Sequence, residues 1–251
     1  LYENEVDYNL SESGVHPLKI SEILSSEEQN QILDKELYYG YTNGTPELRQ
    51  RVLDIYDQNL SLDNVLITSG SAEANFLSIM TQLDVGDEIV YMVPNYLQIF
   101  HLARSLGIVV KTLPLRHELG WQWDPDELKK LVSSKTKMIV VCNPNNPTGA
   151  IMHDEIMDLV ITLAQENNCW ILSDEVYRGA ELKGEECRSF AFSTEKTIVN
   201  SGLSKAYSLP GLRIGWTVGS KTYINRVWSF HDFTVINVSY LSDWIASKIL
   251  E

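Results

Sequence analysis

One lysine and one arginine lie in an otherwise uncharged stretch, residues 202–216, that reads GLSKAYSLPGLRIGW. The whole chain has 34 Asp and Glu residues against 20 Lys and Arg residues, so a stretch this long without acids is unusual. A nearby permanent cation favours the neutral amine of a lysine, which can form an imine with an aldehyde. We therefore expect Lys205 to bind an aldehyde and Arg213 to bind its phosphate, with a hydroxyl from Ser201 or Ser204. The plainer interpretation of Lys205 is a surface lysine.

Polar and aromatic side chains that suit a flat heterocycle follow three other apolar runs. Asp174 ends one run, and a carboxylate there needs a cationic or N–H partner, which a protonated pyridine nitrogen would supply. Tyr177 and Asn146 could each donate a hydrogen bond to a phenolate oxygen, and Tyr96 could stack on the ring. The alternative for Asp174 is a cap on the next turn.

A turn of small residues, Ser69–Ala72, precedes a predicted helix. Backbone N–H groups at a helix start bind phosphate, and small side chains let the anion approach closely. The turn has neither a P-loop pattern nor GxGxxG, which argues against a nucleoside triphosphate or a dinucleotide. We expect the backbone at Ser71 and Ala72 to contact phosphate, the alternative being an ordinary capped turn.

Seven short apolar runs, mostly continuous, indicate strands that are buried on both faces. They are Val65–Thr68, Glu88–Met92, Val109–Leu113, Met138–Cys142, Trp170–Ser173, Thr197–Asn200 and Ile214–Val218. Helical patterns separate most of them, at Ala72–Gln82, Tyr96–Leu106, Asp126–Val132 and Asp154–Asn167. This alternation predicts an α/β fold with three layers, α/β/α, around a mostly parallel seven-stranded sheet with one antiparallel strand. Ligands bind beyond the carboxyl ends of such strands, so the polar groups above should share one site.

Charge and composition limit the partners. The net charge of −14 repels nucleic acid and anionic membranes, and no apolar run reaches 18 residues. Three cysteines and five histidines form no zinc-like cluster, so we expect no metal. The sparse, odd number of cysteines favours a reducing compartment, which we take to be the cytoplasm.

The segment SGLSKAYSLPGLRIGW resembles the lysine signature of the class I and II aminotransferases, which belong to fold type I of the pyridoxal phosphate-dependent enzymes. Five further segments follow the usual order of that family: YGYTNGTPELR, GSAEA, VPNY, NPNNPTG and SDEVY. The resemblance runs from about Tyr8 to the end of the chain. It implies an enzyme that binds pyridoxal 5'-phosphate and acts on an L-amino acid and a 2-oxo acid.

The resemblance also implies a role for each matching residue. Lys205 is similar to the Schiff-base lysine and proton shuttle, Arg213 to the phosphate-binding arginine and Asp174 to the partner of the pyridine nitrogen. With Tyr177, Lys205 and Asp174 form the expected catalytic set. The other expected cofactor contacts are Ser71, Ala72, Tyr96, Asn146, Tyr177 and Ser204. Tyr39 matches a tyrosine that reaches the phosphate of the neighbouring subunit, which implies a homodimer with shared sites.

Two departures from the family pattern stand out. The position three residues before the lysine is often a phosphate-binding serine, but here it is Gly202, so Ser201 or Ser204 would replace that contact. The chain also ends soon after Lys205, so we expect the C-terminal small domain, with its substrate-binding arginine, to be absent or truncated. The expected organisation is an N-terminal arm, residues 1–35, and a cofactor-binding large domain, residues 36–251.

The arm SESGVHP, Ser11–Pro17, suggests an alternative chemistry because it resembles the arm of capreomycidine synthase and related arginine-modifying enzymes. With Glu12 near a substrate cation and His16 as an acid or base, elimination, cyclisation or oxidation of a cationic amino acid would follow. We take Gly14, His16 and Asn146 as candidate substrate contacts, although a packed loop histidine is the preferred interpretation of His16. The effector-sensing half of some bacterial regulators shares this fold, but no DNA-binding helix-turn-helix is visible.

Overall fold

The computed structural model describes residues 5–7, 13–56 and 60–251, which contain a seven-stranded sheet. The strands are β1 (Val65–Thr68), β2 (Glu88–Val93), β3 (Val109–Pro114), β4 (Thr136–Cys142), β5 (Trp170–Asp174), β6 (Thr197–Gly202) and β7 (Gly215–Val218). Their spatial order is β1-β7-β6-β5-β4-β2-β3. Neighbours pair in parallel except at β7, which runs antiparallel to both β1 and β6. The prediction of a mostly parallel sheet with one reversed strand is confirmed.

Helices cover both faces of this sheet. They are α1 (Ile20–Ile23), α2 (Ser26–Leu33), α3 (Pro46–Asp54), α4 (Ser71–Gln82), α5 (Gln98–Ser105), α6 (Pro125–Leu131), α7 (Asp154–Glu166), α8 (Lys221–His231) and α9 (Tyr240–Ile249). Buried residues of α3, α6, α7 and α9 belong to one apolar cluster, whereas those of α4, α5 and α8 belong to a second. The sheet lies between the two clusters, which confirms the three-layer α/β/α prediction.

The strands explain the continuous apolar runs of the sequence. Successive side chains of a strand point to opposite faces, so Val65 and Ile67 of β1 join the first cluster and Leu66 joins the second. All four residues of β1 are buried, and a strand covered on both faces needs apolar residues at every position. The exception is β3, which forms one edge of the sheet and is mostly not buried.

Local chemistry sets where helices begin. The side chain of Thr45 accepts a hydrogen bond from the backbone N–H of Leu48 and caps α3, and Pro46 occupies the first helical position, where its missing N–H is harmless. The helix expected from Tyr96 begins at Gln98 instead, because the side chain of Asn95 accepts the N–H of Tyr96 and holds a turn ahead of α5.

An extended segment, residues 13–19, precedes α1. The N–H of Leu18 donates to the carbonyl oxygen of Ser208 at 3.1 Å, so this segment is tied to the loop that follows Lys205. The division between an arm at 1–35 and a large domain at 36–251 stays a prediction. Within the described residues, no helix is long and apolar enough to cross a membrane, and no group of three or more His, Cys, Asp or Glu residues could hold a metal ion.

Candidate active site

Nine of the residues proposed from sequence line one cavity of about 230 Å³. They are Ser71, Ala72, Tyr96, Asn146, Asp174, Tyr177, Ser204, Lys205 and Arg213. All but Arg213 lie at or after the carboxyl end of a strand, and in a parallel sheet these ends share one edge. Arg213 precedes β7, whose reversed direction puts its amino end at that same edge. The topology of the sheet therefore brings distant parts of the sequence to one cavity.

The start of α4 and Arg213 form an anion site. Gly70 has φ +76°, and a Cβ atom added there would lie 2.4 Å from Nη2 of Arg213. Only glycine lets the guanidinium lie this close to the turn, whose backbone N–H groups begin a helix. Nη1 of Arg213 donates to Oγ of Ser204 at 3.4 Å and to the carbonyl oxygen of Pro210 at 3.1 Å. Positive charge, helix start and hydroxyl together suit a phosphate.

The two serines considered near the missing family serine differ in position. The hydroxyl of Ser201 is buried and donates to the carbonyl oxygen of Glu175 at 3.1 Å, whereas Ser204 lines the cavity. At Gly202, an added Cβ would lie 2.8 Å from the carbonyl oxygen of Ile214, so the paired strands leave no room for a serine. The geometry therefore favours Ser204 over Ser201 as the replacement contact.

Asp174 is a buried carboxylate that faces the cavity. Its Oδ2 accepts from Nδ2 of Asn75 at 3.0 Å, and its Oδ1 accepts from the backbone N–H of Val176 at 3.3 Å. Burial raises the pKa of the Asp174 carboxyl above its usual range, and these two hydrogen bonds oppose that change. Within the described chain it forms no salt bridge. A cationic ring nitrogen would supply the missing counter-charge.

Ser13 joins three of the predicted residues and was missed in the sequence. Its Oγ lies 2.8 Å from the hydroxyl of Tyr177 and accepts from Nδ2 of Asn146 and Nζ of Lys205, each at 3.5 Å. Burial raises the pKa of the Tyr177 hydroxyl, which therefore stays a hydrogen-bond donor at neutral pH. No pattern in the sequence marks this serine, because the arm meets the cavity only through tertiary structure.

Two arm residues proposed for substrate, Gly14 and His16, are not among the described residues that line the cavity. Gly14 and His16 are exposed, and Nδ1 of His16 lies 3.2 Å from the carbonyl oxygen of the adjacent Pro17. Glu12 lies outside the described residues. A neighbouring cavity of about 540 Å³ also includes Ser13, Asn146 and Tyr177. Of the three proposed substrate contacts, Asn146 alone therefore reaches the candidate site.

The two predicted aromatic contacts have different positions. Tyr96 lines the cavity, and its carbonyl oxygen accepts from the hydroxyl of Tyr91 at 2.5 Å, which holds the turn that carries it. Tyr39 is 79% exposed and lies beside Tyr38 and Tyr240 in a separate cavity of about 240 Å³. Within one chain Tyr39 is thus not part of the site, and its contact with a neighbouring subunit stays a prediction.

Further lining residues were also not found from the sequence, among them Asn75, Gln98, Cys142, Val176 and Pro210. A signal for Asn75 did exist: Asn75 and Ser78 are polar, buried and on one face of the otherwise largely apolar α4. The thiol of Cys142 donates to the carbonyl oxygen of Pro144 at 3.3 Å, and burial raises its pKa well above the usual value. Such a thiol is not a nucleophile.

The side chains present fit pyridoxal 5'-phosphate. The start of α4 with Arg213 suits the phosphate, and Asp174 suits a protonated ring nitrogen. Asn146 and Tyr177 offer donors for the ring oxygen, while the amine of Lys205 suits the aldehyde.

Comparison with known proteins shows the family to which this chain belongs. The family model for aminotransferase class I and II matches residues 8–251. An aspartate aminotransferase of Pyrococcus horikoshii is 31% identical over 209 residues, which cover 80% of this chain and 53% of that protein. An aspartate/prephenate aminotransferase of Thermus thermophilus is 29% identical over 216 residues, covering 84% and 56%. The chain thus spans about half the length of these curated relatives.

Solved structures agree with the sequence comparison. A PLP-dependent aminotransferase from Streptococcus suis superposes with a TM-score of 0.92 at 30% identity, over 99% of this chain and 67% of that one. An aspartate aminotransferase of Thermus thermophilus with maleate gives a TM-score of 0.84 at 26% identity, over 88% and 59%.

Proposed function

Because the chain belongs to the class I and II aminotransferase family, we propose that it forms the cofactor-binding part of a pyridoxal 5'-phosphate-dependent aminotransferase. The reaction moves an amino group from an L-amino acid to a 2-oxo acid. One observation carries the proposal. A lysine amine, an arginine packed on a helix-start glycine and a buried carboxylate meet at one cavity, and the carboxylate has no basic partner in the part of the chain that the structure describes.

The residues around the cavity divide the binding among them. Arg213, Ser204 and the backbone at Ser71 and Ala72 hold the phosphate, so the cofactor is oriented from one end. We propose that Asp174 contacts the ring nitrogen and that Tyr96 lies on the ring face. Asn146 and Tyr177 would donate to the ring oxygen. Hydrogen bonds at opposite ends would leave the ring little freedom to rotate, and the amine of Lys205 would hold the aldehyde of the cofactor.

The bound cofactor supplies an electron sink for the α-carbon of the amino acid. Asp174 strengthens that sink, since its negative charge keeps the ring nitrogen protonated. With its amine free beside the bound cofactor, Lys205 would be the group that accepts the α-proton of the amino acid and donates it back. The catalytic set we propose is therefore Lys205, Asp174 and Tyr177, with Tyr177 holding the ring oxygen.

We further propose a homodimer in which Tyr39 contacts the phosphate bound by the neighbouring subunit. Its high exposure in a single chain supports this, because a large aromatic ring in water gains from a covered position. The cytoplasm is the proposed compartment. The free, buried cysteines Cys142, Cys169 and Cys187 support it, since such thiols persist in a reducing environment.

Borohydride trapping tests the proposal. Purified protein is incubated with pyridoxal 5'-phosphate and reduced, and peptides are analysed by mass spectrometry. We expect a yellow protein, a permanent cofactor adduct at Lys205, and loss of that adduct in Lys205→Ala. The matched control is Lys221→Ala, which removes an exposed lysine paired with Asp63. An adduct that stays in Lys205→Ala would refute the assignment of this lysine.

A second assay separates transamination from elimination, cyclisation or oxidation. Purified protein is given arginine, or an aromatic or aliphatic amino acid, with and without 2-oxoglutarate. Keto acid formed only with the acceptor supports transamination. Ammonia or peroxide formed without an acceptor would contradict transamination and would favour elimination, cyclisation or oxidation. The exposed position of His16 provides no support for that alternative.

A further inference from the structure

A chain of buried polar side chains leads from Asp174 into the apolar layer beneath α4 and α8. Its members are Asn75, Ser78, Asn200, Thr217 and Tyr223, each at most 1% exposed. Polar groups in a core destabilise it unless they find partners, and each of these side chains hydrogen-bonds to another, although Oδ1 of Asn200 has no partner among the described residues. The network connects two helices, α4 and α8, and two strands, β6 and β7, to the carboxylate of Asp174. This connection suggests that the network acts on that carboxylate.

The carbonyl oxygen of Ala74 determines which atoms donate and which accept in this network. Oγ of Ser78 donates its single proton to the carbonyl oxygen of Ala74 at 2.7 Å. Ser78 must therefore accept from the hydroxyl of Tyr223 at 2.8 Å and from Nδ2 of Asn200 at 3.1 Å. Tyr223 in turn accepts from the hydroxyl of Thr217 at 2.8 Å.

The same argument fixes the orientation of the side-chain amides of Asn200 and Asn75. Nδ2 of Asn200 also donates to Oδ1 of Asn75 at 2.9 Å, so Asn75 directs its own Nδ2 towards the cavity. That Nδ2 donates to Oδ2 of Asp174 at 3.0 Å and lies 3.4 Å from Oε1 of Gln98. Oδ2 of Asp174 thus faces an N–H donor of Asn75. A proton on Oδ2 would face the N–H of Asn75, so the network favours an unprotonated Oδ2.

We propose that Asn75, oriented by Asn200 and Ser78, is a positioning residue that keeps Asp174 a charged acceptor towards the ring nitrogen of the cofactor. This inference rests on the proposed function. Burial alone favours a neutral Asp174, and the N–H of Val176 at 3.3 Å would be the one remaining donor to this carboxylate among the described residues if Asn75 were lost. A neutral carboxyl would not hold a proton on the ring nitrogen, and the electron sink would weaken.

Nitrogen-15 NMR of protein loaded with ring-labelled pyridoxal 5'-phosphate tests the proposal. Wild type should give the signal of a protonated ring nitrogen. Asn75→Leu, which is similar in shape but has no amide, should move the signal towards that of a neutral ring. The dissociation constant of the cofactor should rise about tenfold, as expected for one lost hydrogen bond to a charged group. Asn200→Ala should change both readouts in the same direction and less strongly.

The matched control is Asn64→Leu. Nδ2 of Asn64 donates to the carbonyl oxygen of Gly219 at 3.0 Å, away from the cavity, so its loss should leave the ring signal unchanged. If Asn75→Leu does not fold, Asn75→Ser serves, because its shorter side chain cannot span the same distance to Asp174. A wild-type ring signal in a folded Asn75 variant would overturn the inference. Absence of any adduct at Lys205 in wild type would instead overturn the proposed function.

Discussion

At the residue scale, two carboxylates at the same edge of the sheet show how partners set charge. Glu73 accepts from the N–H of Ser69 at 2.6 Å and from Nδ1 of His231 at 3.0 Å. Burial acts to raise its pKa, but the hydrogen bonds outweigh burial and the net change is downwards. Asp174 forms no ion pair with a lysine, arginine or histidine among the described residues, and its pKa is raised. The carboxylate left without a counter-charge is the one that faces the cavity, where a ligand can supply it.

Asp174→Ala should therefore separate cofactor binding from turnover. We expect weak binding of pyridoxal 5'-phosphate to survive through the phosphate contacts, while turnover falls about 100-fold or more, as when one charge-stabilising group leaves an active site. Cofactor titration and a coupled transaminase assay measure the two effects. Asp158→Ala, at an exposed side chain of α7, is the control. Wild-type turnover in Asp174→Ala would remove Asp174 from the mechanism.

Gly70→Ala should weaken the phosphate site. The new Cβ would lie 2.4 Å from Nη2 of Arg213, in a backbone conformation, φ +76°, that alanine rarely adopts. We expect at least a tenfold loss of affinity for pyridoxal 5'-phosphate, equivalent to about 1.4 kcal/mol, and little change for pyridoxal, which has no phosphate. Both are measured by absorbance titration.

Gly86→Ala is the matched control for that substitution. Gly86 has φ +88°, so alanine is strained there too, but its Cβ would meet nothing within 4 Å. Both variants should lose about 1 kcal/mol of unfolding free energy, and Gly70→Ala alone should lose phosphate affinity. An equal loss of cofactor affinity in both variants would show that strain, rather than contact with Arg213, is responsible.

At the element scale, one threonine connects two helices that are distant in sequence. Thr45 caps α3 by accepting from the N–H of Leu48 at 3.2 Å. Its hydroxyl also donates to Oδ1 of Asp243 in α9 at 2.5 Å, and its N–H donates to Oδ2 at 3.0 Å. Asp243 is buried, so these donors compensate for the loss of water around its carboxylate. Neither the cap nor its connection to α9 was predicted from the sequence.

Thr45→Ala should lower the free energy of unfolding by about 2 to 3 kcal/mol. About 1 kcal/mol comes from the lost helix cap, and the rest comes from a buried carboxylate that loses one donor. Thr45→Ser keeps the hydroxyl and should lose less than about 1 kcal/mol. Urea unfolding monitored by circular dichroism measures both. Equal losses in the two variants would assign the effect to the missing methyl group instead.

At the scale of the whole molecule, ionisation and folding are coupled through buried carboxyls. Burial raises the pKa values of Asp174, Glu175 and Asp243. When the folded-state pKa exceeds the unfolded one, the folded protein binds more protons between the two values. The stabilisation is complete below the unfolded pKa and is lost as the pH rises through the folded pKa.

We therefore expect the urea midpoint of unfolding to decrease as the pH rises above about 4, the ordinary value for these carboxyls. Carboxyls with lowered pKa values, such as Asp63 and Asp124, oppose this decrease only up to about pH 5, where their unfolded forms are already ionised. Asp243→Asn removes one contributor and should flatten the decrease. A midpoint that climbs steadily from pH 5 to 7 would contradict the assignment of these pKa directions.

The sequence by itself determined the layers of the fold and most of the residues of the proposed cofactor site. Continuous apolar runs such as Val65–Thr68 are readable because burial on both faces demands apolar residues at every position. Asp174, Lys205 and Arg213 were readable because they are charged residues close to continuous apolar runs, and the carboxyl ends of parallel strands lie at one edge of the sheet.

Tertiary structure alone decided which serine faces the cavity, that Ser13 reaches Lys205, and that Asn75 supports Asp174. These contacts join residues up to 192 positions apart. Their physical reason is that a hydrogen bond depends on the distance and direction between two particular atoms, which residue type and spacing do not specify. Apolar burial has no direction and can therefore be read from composition along the chain.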